Sequence, residues 1–258
     1  MYQKLTPLKH ADHGNLRLLP IADYGFACGE LVAPIVIDEI ADVAREYPIV
    51  FPLGSGLPVA LLGVEKDANA YVGADGQWLA TYIPAHLRHY PLAITRMPVQ
   101  AAQGEGRAQE EGRFVVLIDE ASAALSQTEG QPLFAEDGEL APAAEQLTRL
   151  MEQMQARSGV TQRLVHAIDA AGLLVQRAIR IKREGDADRQ VTGIRVIDEA
   201  VLNKLDDVAF NALRKSGALP LVYASLLSWA NFRQGPIGQS HTLPPPAGGR
   251  ADEFIRFN

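Results

Sequence analysis

Residues 34–92 contain a dense succession of secondary-structure signals, and they constrain the fold more than any other part of the chain. Pro34 suits the first turn of a helix, where its missing N–H needs no partner. Apolar side chains then recur at helical spacing from Ile37 to Ile40 and beyond. Pro48 ends this predicted helix, because the residue before a proline is driven out of the α region. The charged residues of the helix are expected to point outward; they are Asp38, Glu39, Asp42 and Arg45.

Short β segments follow this helix. Residues 49–51 and 57–63 are apolar runs of the length typical of buried strands. Asp75-Gly76 lies between two aromatic-containing pairs in residues 71–79, which is a strong hairpin signal. The sequence therefore predicts two strands and a tight turn in quick succession.

The remaining pattern puts most strands in the first half of the chain and most helices in the second. Further strands are predicted over residues 16–19, 24–28, 91–97, 113–118, 173–182 and 190–197. Helices are predicted over residues 121–125, 140–157, 160–171, 199–205 and 219–232, with one more ending at Ser216. This order favours an α+β fold: a single domain with a mixed or antiparallel sheet, hairpins, and a helical C-terminal half. The last helix is apolar on most faces, so we expect it to be buried.

Composition also sets the predicted domain limits. Residues 1–15 are polar and are predicted to be a loop, and residues 16–232 form the α+β domain. Residues 99–112 are rich in Gln, Glu and Gly and predict a mobile loop. Residues 233–258 are rich in Pro and Gly and are predicted to be a disordered tail outside the folded core.

Charge and cysteine content exclude several classes of protein. The net charge of −7 argues against a nucleic-acid binder, which needs a basic face to neutralise phosphates. The single cysteine, Cys28, excludes an internal disulfide and a multi-thiolate metal site, and we expect it to be a small buried apolar residue. No apolar segment resembles a signal peptide or reaches the roughly 20 residues of a membrane span. The sequence therefore predicts a cytoplasmic protein without a membrane span.

His86 and His89 are the residues that most resemble metal ligands. Their spacing of three places them on one face of a helix, but a catalytic metal site needs a third ligand, and no carboxylate lies close in sequence. We therefore predict no metal and no cofactor, with the two histidines structural or on the surface.

Residues 82–90 nevertheless hold the best candidate for a ligand-binding site. Tyr82, His86 and Arg88 combine a ring face, hydrogen-bonding groups and one fixed positive charge, which suit a carboxylate or a peptide. Tyr47, at the end of the first helix, is linked to them through short strands and joins the predicted site. The alternative is that all four residues only pack and solvate the domain.

No catalytic motif is present. The acidic pairs Asp119/Glu120 and Asp198/Glu199 have the residue types of a general acid and base, but helix capping explains them more simply. The Gly-Ser-Gly run at residues 54–56 lacks both the hydrolase pattern and a phosphate-binding lysine. No catalytic residue is assigned, and we lean towards a protein that is not an enzyme.

Several sequence words resemble the bacterial SapC family, named after an S-layer-associated protein. The motifs are REYPIVF, PVALLG, DGQW, YIPAHLRHYP, PLFAEDGELAPA and, near residue 223, SGAL followed by YASLLS. The resemblance extends from about residue 16 to residue 232. The resemblance implies a bacterial protein of about this length that is linked by name to surface layers. It carries over no catalytic residues.

The sequence thus favours a non-enzymatic binding or accessory protein that engages a protein or peptide partner. One alternative is an enzyme, or the partner of one, with a pocket around residue 47 and residues 82–90. The other is a component of a surface layer.

Overall fold

The computed structural model describes residues 1–97, 113–181 and 189–239. Its strands are β1 (Leu5–Pro7), β2 (Arg17–Leu18), β3 (Val32–Pro34), β4 (Ile49–Pro52), β5 (Val59–Leu61), β6 (Leu92–Met97), β7 (Arg113–Asp119), β8 (Leu125–Ser126), β9 (Gln131–Pro132), β10 (Leu174–Ile181) and β11 (Arg189–Ile197). Its α-helices are α1 (His10–His13), α2 (Ile40–Glu46), α3 (Ala85–Arg88), α4 (Pro142–Ala170), α5 (Glu199–Leu202), α6 (Asp207–Ser216), α7 (Leu219–Ser228), α8 (Asn231–Gln234) and α9 (Pro236–Gln239). Single 3-10 turns lie at Gly25–Ala27 and Ile37–Glu39. The predicted α+β class is confirmed.

The chain packs as two compact units. The first contains Met1, Ala22–Leu87 and the described residues from Met154 onward. The second contains Tyr2–Ile21 and Arg88–Gln153. Helix α4 belongs to both, since the boundary falls within it. No helix among the described residues is long and apolar enough to cross a membrane.

The first unit is built on an antiparallel sheet with the strand order β10-β11-β4-β5-β3. Its strand β4 is completely buried from Ile49 to Phe51, as its apolar sequence predicts. Polar groups on the helical side fix this strand. The Ser228 hydroxyl accepts from the Ile49 N–H at 2.9 Å, and the Ser225 hydroxyl donates to the Ile49 carbonyl at 3.4 Å. These bonds satisfy buried backbone groups that the sheet leaves over.

The second unit holds two small antiparallel sheets, ordered β1-β7-β6 and β8-β2-β9. The prediction that residues 113–118 form a central strand is confirmed, because β7 pairs with β1 on one side and β6 on the other. Its core contains Leu92, Ile118, Leu133 and Met151.

Local sequence rules correctly place several element ends. Helix α2 stops at Tyr47, before Pro48. Asp198 caps α5 and Asp206 caps α6 through their carboxylates. Gly217 ends α6 with φ +78°, a left-handed conformation that favours glycine. The predicted hairpin of β10 and β11 is also present, although its loop lies outside the described residues.

Three assignments in the first half of the chain are wrong. Pro34 ends strand β3 rather than opening a helix, because β3 pairs with β5 through Pro34 and Val59. Residues 24–28 contain a 3-10 turn and no strand. Residues 1–15 are not a loop, since β1 pairs with β7 and α1 follows it. For Pro34 and the N-terminal residues, pairing with a distant strand overrides a weak local preference.

Corrections in the second half concern where helices end. Helix α4 runs unbroken through Ser158 and Gly159, where two helices are predicted; one interior glycine costs a helix only about 1 kcal/mol. Residues 121–124 form turns instead of a helix, and Leu125 begins strand β8. The predicted last helix is divided into α7 and α8. It is not buried on all sides as expected, since the Leu227 side chain in α7 is 75% exposed. Ile237, inside the predicted tail, is buried.

Candidate functional site

An irregular stretch of the first unit, residues 79–85, connects the Asp75-Gly76 turn to helix α3. We call it the Tyr82 segment. It lies at the surface, where Leu79 is 42% exposed and Tyr82 is half-buried. Side chains of neighbouring elements bind its backbone, and these contacts define its shape.

Glu46, the last residue of α2, binds the middle of the Tyr82 segment. Its carboxylate accepts hydrogen bonds from the backbone N–H of Thr81 at 3.1 Å and of Tyr82 at 2.8 Å. On the other side, the Tyr47 hydroxyl donates to the Tyr82 carbonyl. Both backbone polar groups of Tyr82 are therefore bound by side chains from the end of α2.

Glu39 binds the same segment from inside the fold. Its side chain is almost fully buried, and its carboxylate accepts from the Tyr82 hydroxyl and the Ala85 N–H, each at 2.9 Å. A third bond comes from the Val36 N–H at 3.1 Å. A buried carboxylate is costly without partners, and three donors offset that cost here. The arrangement fixes both the backbone at Ala85 and the orientation of the Tyr82 ring.

An aromatic cluster supports the start of the segment. The rings of Tyr47 and Tyr71 lie 4.4 Å apart, and those of Tyr71 and Trp78 stack at 6.0 Å. The Trp78 indole N–H donates to the Tyr47 hydroxyl at 2.8 Å. Burial raises the pKa of Tyr47 and of Tyr71 far above the ordinary value, so both hydroxyls stay protonated donors.

The four residues predicted to bind a ligand have different surroundings. Tyr47 and Tyr82 are brought together, but Tyr47 is completely buried, and its hydroxyl binds the Tyr82 carbonyl and the Trp78 indole N–H. His86 is half-buried on α3. Arg88 is exposed at the end of α3 and belongs to the second unit. Ligand binding by these residues stays a prediction.

Sequence reasoning missed the two glutamates. Glu39 was expected to point outward, and that is wrong because it is 5% exposed. One signal was available: Glu39 and Glu46 are seven residues apart, which places them on one face over two helical turns. The hydrogen-bond partners they need lie about 40 residues further along the chain, and no local pattern identifies them.

The second unit uses its acidic pair to hold the N-terminal strand. Asp119 is completely buried and accepts from the backbone N–H of Lys4 at 2.8 Å and of Gln3 at 3.1 Å. Glu120 binds the Lys4 ammonium at 2.6 Å and the His13 ring at 3.2 Å. Lys4 above all, with Thr6 and His13, lowers the pKa of Glu120 to about 2. Asp119/Glu120 therefore tether the N-terminal segment, whereas Asp198 is a helix cap as predicted.

Metal-ligating residue types do not come together in the part of the chain that the structure describes: no group of three or more is close enough to hold an ion. His89 is buried, its Nδ1 lies 2.8 Å from the Leu92 carbonyl, and burial lowers its pKa. Cys28 is exposed, so its prediction as a buried residue is wrong. It follows the 3-10 turn that replaced the predicted strand, and the turn directs it to the surface.

Comparison with known proteins supports the family resemblance of the sequence motifs around the Tyr82 segment. No curated protein and no solved structure matches this chain. The sequence model of the SapC family matches residues 8–234, which is most of the 258-residue chain. The order of elements from α1 to α8, including the Tyr82 segment and its two glutamates, lies inside that range. The chain therefore belongs to the SapC family.

Proposed function

We propose that this SapC-family protein is a non-enzymatic binding or accessory protein that engages a protein or peptide partner through the Tyr82 segment. The observation that carries the proposal is the set of hydrogen bonds from Glu39, Glu46 and Tyr47 to a surface stretch with no regular structure. A surface that is already ordered loses little conformational entropy when a partner binds.

The chemistry of the segment supports a protein or peptide as the ligand. It presents an exposed Leu79 beside half-buried aromatic rings of Trp78 and Tyr82, a combination common in protein interfaces. The net charge of −7 supports a partner other than a nucleic acid.

Capture of partners by an immobilised Leu79→Asp variant tests the proposal. Leu79 makes its contribution at the surface, so the variant should melt like the wild type but lose a partner that the wild type captures from an extract of the source cells. Leu53→Asp is the matched control, because Leu53 is 47% exposed in the same unit and lies in the turn after β4. It should keep the partner.

The proposal fails if the two variants capture the same set of proteins as the wild type. A stable Arg88→Ala variant tests the predicted charge contribution separately, since the Arg88 side chain is exposed.

A further inference from the structure

A strip of half-buried aromatic rings continues from the Tyr82 segment across the surface of the first unit. The Trp78 ring lies 5.5 Å from the Tyr24 ring, which lies 5.8 Å from the Phe26 ring. All three side chains are partly exposed and pack on the core from outside. We call Tyr24, Phe26 and Trp78 the aromatic strip.

The strip is held in place by a contact between two turns. The Tyr24 N–H donates to the Gly76 carbonyl at 2.8 Å, and the Asp23 carboxylate accepts from the Gly25 N–H at 2.6 Å. Gly76 has a φ of +78°, a left-handed conformation that favours glycine, and a Cβ there would displace the exposed Asp23 carboxylate, which would lie 2.2 Å away. This backbone hydrogen bond therefore places Tyr24 beside Trp78 before any ligand binds.

Carboxylates border the strip. Asp23 and Asp75 are both exposed, and each is one to three residues from a ring of the strip. Grooves lined by aromatic rings bind polyproline II segments, and acidic residues beside them select a basic residue in the ligand. The strip has both features.

The chain carries a matching sequence. Pro244-Pro-Pro246 is followed after three residues by Arg250, and a run of three prolines favours polyproline II. We propose that residues 243–250 of the same chain bind to the aromatic strip, with the prolines on the rings of Trp78 and Tyr24 and Arg250 facing Asp23 and Asp75.

The tail can bind within one molecule, because the last part of the described chain starts close to the aromatic strip. A Cβ at Gly235 would lie 3.5 Å from the Tyr71 hydroxyl, so the chain leaves α8 next to the ring that stacks on Trp78. The tether between the described residues and the first proline is residues 240–243, which span about 12 Å at about 3.1 Å per residue. The strip begins at Trp78, whose ring centroid lies 6.0 Å from that of the Tyr71 ring beside Gly235. The tether therefore reaches it.

Binding of this tail next to Leu79 would compete with binding of the partner. This consequence rests on the proposed function. The partner's apparent Kd equals its intrinsic Kd divided by the fraction of molecules whose surface is uncovered. A chain truncated after Gln239 should capture about twofold more partner if the tail covers half of the molecules.

A spin label on Cys28 tests the docking directly. Cys28 is the sole cysteine, is exposed, and lies two residues from Phe26. The label should broaden the amide signals of Leu243, Ala247 and Gly248 in the wild type, and the broadening should be lost when Pro244, Pro245 and Pro246 are all changed to Ala. A tail variant with Phe254, Ile255 and Phe257 changed to Ala is the matched control and should keep it. Neither variant changes a residue that the structure describes.

The outcomes separate the inference from the proposed function. Absence of broadening in the wild type, or equal broadening in the proline variant, overturns the docking. Broadening that disappears on tenfold dilution shows binding between two copies and overturns it too. If broadening is absent but Leu79→Asp still loses its partner, the docking alone is wrong.

Discussion

At the scale of single residues, two glutamates and one tyrosine determine the shape of the Tyr82 segment. Glu46 binds two successive backbone N–H groups, Glu39 binds a hydroxyl and an N–H, and Tyr47 binds a carbonyl. None of these side chains has to contact a partner. Their effect is on the conformation of the residues that do.

The Tyr82 hydroxyl contributes to stability through Glu39. Changing Tyr82 to Phe removes one of the three donors to a buried carboxylate, so we expect a loss of about 1–3 kcal/mol in the free energy of unfolding. Urea denaturation measures it. Tyr223→Phe is the control, because Tyr223 is 46% exposed, and it should change stability by less than about 0.5 kcal/mol. Equal effects of the two substitutions would contradict the role given to Glu39. This cost also makes Tyr82→Phe a poor probe of ligand binding.

The lowered pKa of Glu120 predicts that the stability of the second unit decreases at acidic pH. Its pKa is about 2 in the folded protein, below the usual value of about 4.3, so protons bind preferentially to the unfolded chain. Its stabilising contribution is complete above about pH 4.5 and is lost as the pH falls towards 2. A Glu120→Gln variant should therefore lose less stability than the wild type between pH 5 and pH 2.5. Urea midpoints at the two pH values measure the difference.

Two lysine variants locate the origin of this acid dependence. Lys4 is the main partner of Glu120, so Lys4→Ala should weaken the dependence, while Lys9→Ala should leave it as in the wild type. A Glu120→Gln variant that follows the wild-type profile would place the acid dependence elsewhere.

Residue-scale prediction from sequence succeeds where one residue decides a local conformation. Pro48, Asp198 and Gly217 act on their own neighbours, and all three were assigned correctly. Glu39 and Cys28 were assigned wrongly, because burial is decided by residues distant in sequence. For the candidate site, the sequence pointed to Tyr47 and Tyr82, which the structure brings together, but not to the glutamates that shape the segment; ligand binding by the predicted residues stays a prediction.

At the scale of elements, the C-terminal boundary differs most from the sequence-based prediction. The Pro/Gly-rich composition places the end of the fold near residue 233, yet α9 continues to Gln239 and buries Ile237. Similarly, Gly159 predicted a break that α4 does not have. Amino-acid composition shows where the chain becomes richer in Pro and Gly, but packing decides where a helix ends.

Two truncations test the position of this boundary. Removal of all residues after Arg233 deletes α9 and Ile237, and burying an isoleucine contributes about 1.5–3 kcal/mol, so the melting temperature should fall by about 5 °C or more. Removal of the residues after Gln239 deletes at most the weak docking of the tail. It should lower the melting temperature by less than about 4 °C. Similar melting temperatures for the two truncated chains would show that α9 contributes nothing.

At the scale of the whole molecule, the α+β class and the family follow from sequence patterns that are spread over most of the chain. The family match from residue 8 to residue 234 ends at the last residue of α8, close to the predicted limit of 232. Periodicity gives the type of most elements, and the sheets join strands as far apart as β4 and β11. Such pairing depends on the global arrangement of the chain and is not encoded in either strand alone.

The central claim is that the Tyr82 segment is ordered before any partner binds, because side chains hold its backbone. Amide hydrogen exchange of Thr81, Tyr82 and Ala85, measured by NMR on the protein alone, tests it most directly. We predict slow exchange at all three amides in the wild type. In a Glu46→Ala variant, Thr81 and Tyr82 should lose protection while Ala85, bound by Glu39, keeps it. Exchange of all three wild-type amides at the rate of an unstructured peptide would contradict the account.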